Sequence, residues 1–144
     1  MILGIGADIV DSRRLERPLR NHSERFLSKI MTEQERIYVL HRLAPLKIFL
    51  DEEKHTQRLS LQIAKIFAAK EAFVKALGTG FRGGLGFLDI EIQRNALGKP
   101  TFQLHSKAQE VFQNLIPFGM EGQVHLSLSD EYPYAQAFVT LSAF

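Results

Sequence analysis

The sequence predicts an α+β single domain in which an antiparallel sheet packs against one long helix. Three observations carry this. Leu59, Ile63, Ile66, Phe67, Phe73, Val74 and Leu77 recur at helical spacing as one apolar stripe. Short strand-like runs stand at the start of the chain and again through its last third, bounded by turn residues. A chain of 144 residues with 45% apolar content has enough core for one domain, and nothing in it resembles a linker, a repeat or a low-complexity tract.

Residues 2–5 open as an apolar strand. A helix capped by Asp11 or Ser12 follows, with its course disturbed at Pro18 because proline removes a backbone donor and crowds the preceding turn. A short helix restarts after Ser23. Thr32 with Glu35 reads as a capping box that starts another helix, running to about residue 43. Residues 44–57, which include Asp51-Glu52-Glu53-Lys54, read as a polar connection. The long helix is expected over about 59–77 and is stopped by Gly78. Strands are expected at about 88–93, 101–105, 124–129 and 135–141, with one more helix capped by Ser106 and Gln109.

Composition removes several function classes. With no cysteine there is no disulfide framework, thiolate zinc site or cysteine nucleophile. The five histidines lack a paired helical spacing, which argues against a histidine metal site. The opening residues lack a basic n-region and an h-region, and no apolar run spans a bilayer, so the reading is a soluble cytoplasmic protein with no membrane partner. A net charge of +2 and a pI near 9.0 do not by themselves argue for nucleic acid. An RNA-binding module would need basic and aromatic residues interleaved on an exposed sheet face, and the phenylalanines fall mostly at core-like positions.

The chemistry-bearing residues concentrate in the run Phe67-Ala68-Ala69-Lys70-Glu71-Ala72-Phe73-Val74-Lys75-Ala76-Leu77-Gly78-Thr79-Gly80. It sets a carboxylate and two ammonium groups on a helix ending in glycines, a layout suited to a metal and a phosphate. An isolated Glu71–Lys75 pair, four apart, would be a surface ion pair contributing about 0.3–0.5 kcal/mol. Near the N-terminus, however, Gly4-Ile5-Gly6-Ala7-Asp8 places a second carboxylate just past two glycines, where backbone can approach a ligand closely. Asp8 with Glu71 would suffice for Mg2+, which is commonly held by one or two carboxylates plus phosphates and water. Gly78-Thr79-Gly80-Phe81-Arg82-Gly83 formally matches the dinucleotide fingerprint, but a helix precedes it where a strand is required. Alternation in 124–129 puts His125, Ser127 and Ser129 on one strand face. Between Ser12 and Lys29, Arg13, Arg14, Arg17, Arg20, Arg25 and Lys29 outnumber Glu16 and Glu24, which describes either a solvated face or a surface for an acidic partner.

Four blocks carry a family resemblance: Gly4-Ile5-Gly6-Ala7-Asp8-Ile9-Val10, the run from Phe67 to Gly80, Leu97-Gly98-Lys99-Pro100, and His125-Leu126-Ser127-Leu128-Ser129 with Tyr134-Ala135. In this order they resemble the holo-acyl-carrier-protein synthases, the small bacterial type of 4'-phosphopantetheinyl transferase, over nearly the whole chain. The resemblance implies the 4'-phosphopantetheinyl transferase-like fold and Mg2+-dependent transfer of phosphopantetheine from coenzyme A to a serine of an acyl carrier protein. Mn2+ is an alternative metal. It implies Asp8 and Glu71 as metal ligands and, with Lys75, as the catalytic set. Lys75, Gly78, Gly80 and His125 would line coenzyme A, and Arg14 would meet the carrier protein. It also implies a homotrimer with each site between subunits. This chain departs from the pattern at Ile66 and Tyr132, where arginine is usual, and at residues 44–57, where the family's link is shorter. Those departures suit a divergent member serving a specialised carrier protein or one that binds without turning over, and the contrasting reading is a non-catalytic basic interaction module.

Overall fold

The computed structural model describes residues 1–144. Strand β1 (Ile2–Asp11) leads into α1 (Arg13–Ile30), α2 (Glu33–Leu43) and a 3-10 turn at Ala44–Ile48. Helix α3 (Glu52–Leu77) is followed by the hairpin β2 (Ile90–Arg94) and β3 (Pro100–Leu104), helix α4 (Ser106–Leu115), and the hairpin β4 (Gly122–Glu131) and β5 (Tyr134–Ala143). β1, β5 and β4 form an antiparallel sheet in the order β1-β5-β4, while β2 and β3 pair separately. Helix α3 lies across β1 and β5, so the main core is a helix-on-sheet layer.

Several boundaries differ from expectation, each for a local reason. β1 extends through Asp11 because it pairs with β5 along its length, up to Asp11 opposite Tyr134. The break within α1 falls at His22 (φ −146°, ψ 41°), not at Pro18. Part of the expected connection is helical: Asp51 caps α3 by accepting from Lys54 N–H at 2.8 Å, and the helix begins seven residues before Leu59. Glu52 and Glu53 then occupy the first turn, where the helix dipole favours acids. Ser106 does not cap α4; the N-cap is His105 without a side-chain bond, and Ser106 has φ 41°. The Thr32–Glu35 capping box forms as expected.

The glycines of β1 serve packing, not ligand approach. A Cβ on Gly6 would lie 1.9 Å from Ala72 O and 2.6 Å from Ala76 N, and one on Gly4 would lie 2.0 Å from Ala76 O. Only a strand without side chains at these positions comes this close to α3, whose turn at Ala72 and Ala76 it meets. A second cluster, including Leu19, Leu27, Ile30, Val39, Leu43, Ile63 and Ile66, ties α1 and α2 to the other side of α3.

Lys70 is fully buried, contrary to its expected place on a ligand-binding face. Its Nζ donates to Ile30 O at 2.8 Å, Glu35 Oε2 at 2.8 Å and Phe87 O at 2.9 Å. Three acceptors around one nitrogen require the ammonium form. Burial pushes its pKa down, and the Glu35 carboxylate opposes that shift. Glu35 in turn accepts from Thr32 N–H and Ile92 N–H, so one ion pair joins the ends of α1 and α2 to β2 and α3.

Candidate active site

The close contact of β1 with α3 brings Asp8, Glu71 and Lys75 together. Asp8 alternates with Gly6 and Val10 on the helix-facing side of the sheet. Lys75 reaches across from the last turn of α3 and donates from Nζ to Asp8 Oδ1 at 2.6 Å and to Ala7 O at 3.2 Å. Glu71 lies one turn earlier on α3. Its pKa is raised, first by burial and then by the negative charge of Asp8, against a smaller lowering by Lys75. The two carboxylates therefore repel each other across the strand–helix junction, and an ammonium already offsets part of that charge.

This donor set fits a hard divalent cation. Two carboxylates at a half-open junction leave the remaining positions to water and substrate oxygen, the manner in which Mg2+ is usually held. Asp8 and Glu71 are the side chains that would hold such an ion. Bound there, it would supply positive charge to phosphate oxygens.

Beyond Lys75, α3 ends in Gly78 (φ 76°), and Gly80 (φ 62°) continues the turn. Gly78 N–H donates to Lys75 O at 3.0 Å and Gly80 N–H to Val74 O at 3.3 Å, which fixes the loop against the helix end. The loop borders a cavity of about 380 Å³ with Gly78, Thr79, Arg82, Gly83, Lys107 and Val111 around it. Arg82 is the unpaired cation of that hollow, since Lys107 is paired with Glu110 at 2.8 Å. Neither was legible as a site residue, because Lys107 arrives from α4, distant in sequence, although Arg82 stood within the glycine run.

His125 stands on the opposite face of the sheet. Its register partner is Thr140, and its Nε2 lies 3.3 Å from Ser142 Oγ. Within one chain it does not join Asp8 and Glu71. That outer face carries Ile5, Ile9 and Phe138, respectively 55%, 63% and 49% exposed. It bears Ser127, Ser129, Gln136 and Thr140 but no Lys or Arg, so it lacks the basic and aromatic pattern of an RNA-stacking sheet.

On α1, Arg13 is held by Asp11 through its own turn, and Arg20 stands 3.9 Å from Glu16. Arg14 and Arg17 are exposed and free of ion pairs. Ile66 belongs to the second core cluster, whereas Lys65 beside it pairs with Asp130 at 3.2 Å. Tyr132 donates its hydroxyl to Glu16 Oε1 at 3.2 Å.

A family model described as the 4'-phosphopantetheinyl transferase superfamily matches residues 4–137. A holo-[acyl-carrier-protein] synthase of Granulibacter bethesdensis is 43% identical over 144 residues, covering 99% of this chain and 90% of that protein. The crystal structure of the holo-[acyl-carrier-protein] synthase from Neisseria meningitidis superposes with a TM-score of 0.73 at 35% identity, covering 99% of both chains. The Bacillus anthracis holo-(acyl-carrier-protein) synthase, solved in complex with CoA (3',5'-ADP), superposes with a TM-score of 0.69 at 35% identity over 98% of this chain and 96% of that one. With the glycine-paved contact that unites Asp8, Glu71 and Lys75, these likenesses have one meaning: the chain belongs to the holo-[acyl-carrier-protein] synthase family of the 4'-phosphopantetheinyl transferase superfamily.

Proposed function

We propose that this chain transfers the 4'-phosphopantetheine group of coenzyme A to a serine hydroxyl of an apo acyl carrier protein and releases adenosine 3',5'-bisphosphate. The observation that carries the reading is the junction where Lys75 bonds Asp8 beside a Glu71 of raised pKa. Transfer breaks the bond between the β-phosphorus and the bridging oxygen of the pyrophosphate, and forms a serine ester to the same phosphorus. The chief obstacle is negative charge crowding in the transition state. Mg2+ on Asp8 and Glu71 would neutralise part of that charge.

Lys75, half-exposed on its flexible stem, exchanges Asp8 for a phosphate oxygen when substrate enters. The glycine loop with Arg82 holds the bisphosphate end, and that cation offsets the unfavourable negative pole of the helix terminus. Glu71 would also stand beside the serine hydroxyl to accept its proton.

The chain works as a homotrimer. Support comes from the exposed apolar sheet face of Ile5, Ile9 and Phe138, a surface that a second copy would cover. Such packing brings His125 of one copy toward the coenzyme A site of the next, which accounts for its position on the far side of the sheet. Incubation with apo acyl carrier protein, coenzyme A and Mg2+ tests the function: intact mass of the carrier should rise by one phosphopantetheine group, and an unchanged mass refutes the assignment. Light scattering checks the trimer, and a monomeric mass across the micromolar range rejects it.

A further inference from the structure

The loop that follows α3 is built to be loose. Gly83 (φ 61°) and Gly84 (φ 85°) join Gly78 and Gly80 in the left-handed region, and a Cβ on any of the four would meet nothing within 4 Å. Its hydrogen bonds stay local. Gly78 and Gly80 N–H reach only the end of α3, Arg82 N–H donates to Gly80 O at 3.1 Å, and Leu85 N–H donates to Arg82 O at 3.1 Å. Thr79 Oγ1 likewise bonds Gly80 O within the loop. A segment of this composition has much conformational freedom to lose when it closes on a ligand, and that loss weakens binding.

Phe81 ties the loop sideways. Its half-buried ring stacks on Phe87 with centroids 4.1 Å apart and planes at 25°, and Phe87 stacks on Phe67 of α3 at 5.3 Å and 29°. Phe67 precedes Glu71 by four residues, so the stack ends on the helix one turn before the carboxylate. Phe87 is itself pinned, because its carbonyl accepts from Lys70 Nζ at 2.9 Å. Arg82, next in sequence to the stacked ring, borders the hollow of about 380 Å³ at the loop. The stack therefore fixes where the Arg82 backbone stands relative to Glu71 and Lys75.

We propose that Phe81 is a positioning residue for coenzyme A, whose stack on Phe87 holds the loop and Arg82 ready for the bisphosphate end before binding. The proposal rests on the transferase reading and names what gives that site its affinity. Phe81 acts through the loop and touches no reacting atom, so its effect falls on nucleotide binding and spares kcat at saturating coenzyme A. Losing one stacked aromatic pair corresponds to about three- to tenfold in affinity.

The test uses the full chain with Phe81→Ala, Phe81→Leu and Phe81→Tyr. It reads the Kd of adenosine 3',5'-bisphosphate by calorimetry, KM for coenzyme A and for apo carrier protein, kcat, and a thermal melt. Phe81→Ala should raise the bisphosphate Kd and the coenzyme A KM by about three- to tenfold, with carrier KM and kcat unchanged. Phe81→Leu keeps apolar bulk without a ring and stands in if the alanine variant folds poorly; it should show a smaller loss of the same kind. Phe81→Tyr keeps the ring and should bind as the wild type does. A lowered melt with wild-type bisphosphate Kd and coenzyme A KM overturns the proposal, for the ring would then serve packing alone. A fall in kcat at saturating coenzyme A with its KM unchanged also overturns it. A wild-type chain that binds the bisphosphate but modifies no carrier rejects the transferase reading and leaves the loop anchor standing.

Discussion

Removing the Lys70 ammonium should cost more stability than any exposed charge in this protein. Lys70→Met keeps most of the side-chain volume but leaves Glu35 buried without its cation and takes the donor from Ile30 O and Phe87 O. Breaking a buried pair on one side costs about 3–5 kcal/mol, and Glu35 keeps its two backbone donors, which places the estimate near the lower end. A loss of about 3 kcal/mol lowers the melting temperature of a chain this size by roughly 6–12 °C. Glu35→Gln should cost about as much, because it strands the ammonium. Lys70→Met/Glu35→Gln leaves no unpaired charge, so its cost should fall short of the sum of the singles by about 2 kcal/mol. Urea denaturation of the four proteins completes the cycle. Additive costs, or a Lys70→Met loss below about 1 kcal/mol, would refute the claim that this pair pins the helices.

Four further outcomes follow from the site and its packing. Asp8→Ala and Glu71→Gln should each lower kcat at least about 100-fold with the fold intact, and a chelator should abolish wild-type turnover until Mg2+ or Mn2+ is restored; near-normal turnover of either variant at saturating metal rejects the site. Gly6→Ala forces a methyl into the backbone of α3 and should cost about 1–3 kcal/mol while displacing Asp8 from Lys75, read as a lower melt together with a lower kcat. Ile66→Arg puts a charge into the second cluster and should cost about 2–3 kcal/mol; an unchanged melt with tighter coenzyme A binding would show that the residue faces the nucleotide instead. Finally, the folded pKa of Glu71 lies above its ordinary 4.5, so the folded state binds the extra proton in that interval. Metal-free protein should therefore lose stability as pH rises from about 4.5 through the raised value, and Glu71→Gln should remove that part of the slope.

Residues whose role depends on local spacing were legible before the structure. The α3 stripe, the Thr32–Glu35 box and the Gly78 stop all act within one or two helical turns, and the family motifs pointed to Asp8, Glu71 and Lys75, which the fold brings together. Residues whose role depends on a distant partner were not. Nothing near Lys70 in sequence announces Ile30, Glu35 and Phe87, although its alanine neighbours at 68, 69 and 72 show α3 packed on several sides. The glycines of β1 signalled close approach, but not that the approaching object was the helix. The start of α3 was missed because its apolar stripe begins only where the helix meets the core, leaving polar residues 52–58 to be read as a connection.

The placement of Lys70 beside Glu71 explains how a small fold can hold this junction steady. Neighbours on a helix diverge by about 100°, so one side chain can anchor the helix while the next faces the junction with Asp8. Lys70 draws α3 toward α1, α2 and the segment before β2 through bonds in three directions, and Gly4 and Gly6 let β1 close against another face. Helix position is thus constrained from both sides at the level of Glu71. The carboxylate of Glu71 and the ammonium of Lys75 then project from a segment that cannot slide along the strand without breaking either the buried pair or the glycine contact. Asp8 and Glu71 can consequently be kept close although each raises the cost of the other's charge.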